Sequence, residues 1–193
     1  TLTPGITVFG LSFMTLFSAT LIAKDRESAL LQRLYTTPLT GLDFIIGYML
    51  PLLPIALGQT VICYLFAIPL GLTIRVNIVY AIIGIIPMAI FNIALGLLCG
   101  SIFGVKQVGG ICGALLTNFC AWLSGVWFDL KLVGGFFEKL ADALPFVHAV
   151  EMEKALFAGD FKLAASHILP IFTYSVFTTV IAVYCFLGQM KKQ

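Results

Sequence analysis

The chain has 193 residues, 60% of them hydrophobic and only 10% charged, with a formal net charge of +2. A soluble domain is nearer ~45–50% apolar, so a mean hydropathy of +1.06 excludes an ordinary water-soluble globule. The small net charge, with no basic patch interleaved with aromatics, excludes a nucleic-acid partner.

Charge is absent from Thr1–Ala23, Phe44–Ile74, Val76–Val105, Gln107–Phe128 and Leu163–Met190. Each window holds the ~20 apolar residues that cross a hydrocarbon core as a helix. Lipid offers nothing to a bare backbone, and these runs are too long for barrel strands. The predicted fold is therefore all-α: one polytopic membrane domain, 1–193, with five transmembrane helices over about 4–23, 43–69, 78–103, 107–128 and 164–189. The first run lacks the basic flank and cleavage pattern of a signal peptide. The five cysteines, Cys63, Cys99, Cys112, Cys120 and Cys185, fall inside these runs without a C-x-x-C pair, and read as small apolar residues.

In the first span Phe9, Phe13 and Phe17 stack at i, i+4, i+8, which forms either an aromatic wall or a lipid-facing stripe. After it comes "AKDRESALLQRLYTTPL", with five charges between Lys24 and Arg33. Read as a helix over about 24–36, it gathers Leu30, Leu31, Leu34 and Tyr35 on one side. Asp25 and Glu27 would then occupy its first turn, where the helix dipole favours anions, and Pro38 closes the element. The same charges would also suit a solvated connector that only fixes topology. The second span carries Pro51 and Pro54, with Pro69 near its end, and prolines kink helices. Gly96, Gly100 and Gly104 share a face of the third span, and Gly109 and Gly113 repeat the spacing in the fourth. Small-xxx-small faces permit close backbone approach, so the third and fourth spans are expected to pack tightly on each other. Thr117, Asn118 and Trp122 follow on the fourth span.

The segment 129–162 is too apolar for a free loop. It is expected to form two short helices, split near Leu144–Pro145 and packed back against the outer membrane face. Within it His148, Glu151 and Glu153 are the residues that most resemble a site. Their spacing is not H-E-x-x-H, so no metal site is expected; acid–base chemistry by these three is the alternative reading, that of a membrane-bound enzyme. Orientation follows the short loops. Lys24, Arg26 and Arg33, then Lys106, then Lys191 and Lys192 lie on one side, expected to be cytoplasmic. The amino terminus and the net-acidic 129–162 segment are then external and the carboxyl terminus cytoplasmic. An odd span count with an external start predicts a further span upstream of Thr1.

No G-x-x-x-x-G-K-[ST] phosphate loop occurs, and no acidic residue lies within an apolar run. Energy for transport would have to come from a partner.

"RESALLQRLYTTPLTGLDFIIGYML" resembles the first cytoplasmic loop of ATP-binding-cassette type-2 transporter permeases, whose pattern is Arg-Glu-x-Gly-Thr-Leu-x-x-Leu-x-x-(Thr/Ser)-Pro. Arg26, Glu27, Leu31, Leu34, Thr37 and Pro38 match; Ala29 and Leu30 replace the usual Gly and Thr. "LSGVWFDLK" followed by "LPFVHAVEMEKALFAGD" is similar to the last external region of that family, which implies an external re-entrant helical hairpin over about 129–162. The resemblance implies that the five spans correspond to the second to sixth of the family. It implies a coupling helix, with Arg26, Glu27, Gln32 and Arg33 facing a separate ATPase subunit that binds ATP and Mg. It implies a second permease copy, homo- or heterodimeric, and a cargo path along Phe9, Phe13, Phe17, Thr117, Asn118 and Trp122. The function it implies is that of the membrane subunit of an exporter of hydrophobic or amphipathic cargo across the cell membrane, with no catalytic residues or cofactor of its own.

Overall fold

The computed structural model describes residues 2–28, 40–74, 76–127 and 134–190. Among the described residues the chain is helical throughout, without a strand. Four helices are long and apolar enough to cross a membrane: Thr3–Glu27, Gly41–Ala67, Asn77–Ile102 and Phe161–Gln189.

Helix α1 (Thr3–Glu27) starts with Pro4 in its first turn, where a missing N–H costs nothing. Its buried residues Val8, Leu11, Thr15, Ser18 and Ile22 recur every three to four positions and form one seam. Helix α2 (Gly41–Ala67) opens on a capping box: the Asp43 N–H donates to Thr40 Oγ1, and the Thr40 N–H donates to Asp43 Oδ2 at 2.8 Å. Pro51 and Pro54 lie inside it as expected, and Pro69 falls in the turn beyond, where Gly71 takes φ +100°. The third apolar run is two helices, α3 (Asn77–Gly84) and α4 (Ile86–Ile102), separated at Ile85. Pro87 accounts for the break, since it brings no N–H to the helical ladder and its ring crowds the carbonyl four residues back.

The fourth run departs from expectation. Instead of one α-helix over 107–128, it is a short α5 (Val105–Val108), a π-helical segment (Gly109–Leu116) and α6 (Thr117–Leu123), followed by a turn with Gly125 at φ +67°. Three glycines in "GGICGALL" leave the backbone free to widen. The Thr117 hydroxyl donates to the Cys112 carbonyl five residues back, at 3.0 Å, and so serves a group that the wider turn exposes.

The hairpin segment is α7 (Gly135–Ala143) and α8 (Pro145–Ala158), split at the expected place, with Leu144 extended and Pro145 opening the second helix. Gly159, at φ +88°, ends α8 in the left-handed conformation that glycine adopts without strain. Asp160 Oδ1 then accepts from the Leu163 N–H (3.0 Å) as α9 (Phe161–Met190) begins. Helix α8 lies in the bundle, with Phe146, Ala149, Val150, Met152 and Leu156 buried, chiefly against α9 and α3.

Helix α4 packs extensively on both α1 and α9, and its glycine face meets α1. A methyl group on Gly96 would sit 2.3 Å from the Thr15 carbonyl oxygen, and one on Gly100 2.3 Å from that of Ala19. The glycine face of the third run is thus a packing face, but its partner is α1 rather than the fourth run. Gly113 also meets α1, at Leu16; Gly104 lies near the Glu27 carboxylate, and Gly109 has open space. The third and fourth runs both lean on α1, which corrects the expectation that they pack chiefly on each other. Thr15 Oγ1 completes the α1–α4 seam, 3.0 Å from Asn92 Oδ1, while Asn92 Nδ2 donates to Met88 O at 2.9 Å.

The charged segment also differs from expectation where it is described. Lys24–Glu27 do not open a new helix; they are the last turn of α1, after which Ser28 is extended. Asp25 and Glu27 therefore stand at the negative end of a helix dipole, where Lys24 and Arg26 are the favoured residues. The remainder of the expected coupling helix, 29–36, lies outside the described residues.

Candidate functional site

At the end of the bundle where α1 finishes, three charged side chains are tied to other elements. Arg26 Nη1 donates to the Gly100 carbonyl at 2.9 Å, capping a carbonyl in the last turn of α4. Asp25 Oδ2 accepts from Tyr48 Oη on α2 at 2.7 Å. Glu27 Oε1 accepts a long 3.5 Å hydrogen bond from the Val105 N–H at the start of α5. These contacts join the ends of α1, α2, α4 and α5. Arg26 is half-buried and Glu27 exposed, as is Lys24. Gln32 and Arg33 lie outside the described residues.

The aromatic positions divide. Phe9 and Phe13 meet edge to face at 5.7 Å, and Phe9 also meets Trp127 at 6.2 Å. Phe13 and Phe17 are half exposed and line a cavity of about 550 Å3 with Met14, Thr20, Lys24 and Ile55. That cavity lies between α1 and α2, and Thr117, Asn118 and Trp122 do not line it. Thr117 is buried with its hydroxyl already committed, whereas Asn118 and Trp122 are exposed on α6.

At the opposite end, the three residues of the enzyme reading do not converge. His148 Nδ1 lies 3.0 Å from His167 Nδ1 on α9, and His148 Nε2 is 2.9 Å from the Asp142 carbonyl at the end of α7. That carbonyl only accepts, so His148 carries its proton on Nε2. Glu151 pairs with Lys154 at 2.9 Å. Glu153 points the other way, fully buried, and its Oε2 is hydrogen-bonded to the Thr7 hydroxyl of α1. Burial pushes the Glu153 carboxyl well above the usual carboxylate range, and the Thr7 and Tyr64 hydroxyls offset this only in part. Among the described residues, no group of three or more His, Cys, Asp or Glu is placed to hold a metal ion.

The Glu153–Thr7 contact was not legible in sequence. Nothing in the spacing of "HAVEMEKALF" says which acid turns inward, and the partner lies 146 positions away.

The family model described as ABC-2 type transporter matches residues 2–157. The chain belongs to that family. An ABC-2 type transporter chain is a component of a transport system, which accords with its apolar helices and makes it a multi-pass membrane protein. No curated protein and no solved structure matches it. The match spans α1 to α8 and so takes in both the tied charges at the end of α1 and the inward-facing Glu153.

Proposed function

We propose that this ABC-2 chain is the permease subunit of an ATP-driven exporter, moving hydrophobic or amphipathic cargo with energy from a separate ATPase subunit and working as a pair of permease copies. Family membership over residues 2–157 carries the reading. The contacts of Asp25, Arg26 and Glu27 support a mechanism. A push on the segment after α1 reaches α2 through Tyr48, α4 through Gly100 and α5 through Val105 at once. On this reading the charged segment faces the cytoplasm, and 105–123 supplies a fifth crossing.

The test must avoid Arg26, whose guanidinium is already used inside the chain. Gln32→Glu with Arg33→Glu leaves the described contacts intact and reverses the charge that this segment offers to the ATPase. The variant is expected to insert and melt as wild type, yet to co-purify poorly with its ATPase and to lose most transport. Normal ATPase binding together with wild-type export would overturn the coupling role.

A further inference from the structure

Glu153 has no place in the coupling scheme, yet it is the most enclosed ionisable group on α8, with no exposure at all. Its surroundings are unusually poor in donors. Oε2 meets Thr7 Oγ1, while Oε1 has no hydrogen-bond partner. Thr7 Oγ1 also lies 2.7 Å from the Pro4 carbonyl oxygen. A threonine hydroxyl has one hydrogen, and both of these neighbours are acceptors if the carboxyl is ionised. One of the two contacts then has no hydrogen in it. If the carboxyl is neutral, the count closes: Glu153 Oε2–H donates to Thr7 Oγ1, and Thr7 Oγ1–H donates to the Pro4 carbonyl.

Among the described residues a counter-ion is also lacking. Lys154, the adjacent cation, is exposed and bound to Glu151. The titratable side chains that interact with Glu153 among the described residues are Tyr64 and Cys63 of α2, both neutral in their ordinary state. Helices α1 and α6 bring no charge to this end. His167 of α9 is paired with His148, and Tyr80 of α3 stacks on Phe161. The α7 groups Glu138, Lys139 and Asp142 sit on the far side of the Leu144 break. Tyr64 Oη is buried and without a partner, close enough to interact with the carboxyl but not aligned with it. A turn of the phenol would make it a donor to Oε1.

We propose that Glu153, with Thr7 and Tyr64, is a proton-binding site that holds α8 against α1 and α2 when occupied. Release breaks the Oε2–H bond, leaves the electron pair on the carboxylate and passes the proton to solvent. The resulting anion is enclosed, with only the Thr7 and Tyr64 hydroxyls to solvate it and no cation beside it among the described residues, a state that favours withdrawal of α8 toward water. The site therefore senses the pH on the side of the membrane that carries the hairpin. It is independent of the ATPase reading, because it needs only the isolated chain.

The test is infrared spectroscopy and thermal melting of the purified chain in detergent, as wild type, Glu153→Gln and Thr7→Val. The sign follows from the raised carboxyl: stabilisation is complete below the ordinary carboxylate range, about 4.3, and is lost as pH rises through the folded-state value. Wild type is expected to show a protonated-carboxyl band at neutral pH that is absent in Glu153→Gln and shifted in Thr7→Val. Its melting temperature should fall with rising pH, whereas that of Glu153→Gln stays level near the wild-type low-pH value. If Glu153→Gln does not fold, the band shift in Thr7→Val decides the assignment. A neutral-pH wild type without the band, or a band unmoved by Thr7→Val, would overturn the site.

Discussion

Gly100 and Gly109 are the same residue type nine positions apart, and a spacing rule treats them alike. Their surroundings differ: a Cβ at Gly100 collides with the Ala19 carbonyl and Ile22, whereas one at Gly109 meets nothing within 4 Å. Backbone cannot step aside as a side-chain tip can. Gly100→Ala is therefore expected to destabilise the chain by about 1–3 kcal/mol, the usual cost of overpacking. Gly109→Ala should leave the melting temperature unchanged or slightly raised, since alanine is the better helix former. Equal melting temperatures for the two variants would remove the close α1–α4 approach. The pattern Gly96, Gly100, Gly104 announced a packing face in the sequence but not what would meet it. Periodicity locates a face on its own helix; the partner is chosen by tertiary arrangement, here by the seam of α1.

At the scale of elements, the sequence read best where covalent chemistry dictates the outcome. Pro145 set the α7–α8 split, and Pro87 set a break that a hydropathy window does not register. It read worst where charge was taken to mark a new helix. The last turn of α1 continues through Lys24–Glu27 because nothing there stops it; the acids tolerate the wrong end of the dipole by finding Tyr48 and Val105 as donors. The hairpin was expected to pack back on the outer membrane face, whereas α8 lies in the bundle; its fastening was not foreseen either, since His148 and His167 lie on different elements. That pair joins α8 to α9, and Tyr174 Oη joins α9 to the Ala143 carbonyl of α7 at 2.5 Å. A double-mutant cycle with His148→Ala and His167→Ala should give a coupling energy of about 0.5–1.5 kcal/mol, as for one hydrogen bond. Additive losses would mean that the contact contributes nothing. Transport surviving in His148→Ala is also the outcome expected of a permease, and an enzyme built on that residue would not survive it.

For the whole molecule, the distribution of lysine and arginine sets a direction that helix packing leaves open. Lys106 at the start of the fourth run and Lys139 on α7 are both exposed. Single cysteines at these two positions, with the five native cysteines replaced, are expected to react with an impermeant maleimide from opposite sides in intact cells, Lys139→Cys from outside. Reaction of both from the same side would invert or discard the topology. The all-helical character and the apolar crossings were legible in composition, because a bilayer leaves so few alternatives. The polar interior was not, because Thr7, Glu153 and Tyr64 come from three distant stretches, and only the folded chain brings them within reach of one another.

The α1–α4 seam also imposes an order on biogenesis. Helix α1 leaves the ribosome first, yet Gly96 and Gly100 are not synthesised until α2 and α3 have followed. Meanwhile the seam must wait in lipid, where Val8, Leu11 and Ile22 are at ease but hydroxyls are not. Ser18 is provided for: its hydroxyl bonds back to the Met14 carbonyl at 2.7 Å, within its own turn. Thr15 meets Asn92 only when α4 arrives. A nascent chain halted before Asn92 therefore leaves Thr15 without its cross-helix partner, and its hydroxyl has only the preceding turn of α1 to donate to, as Ser18 and Thr20 do.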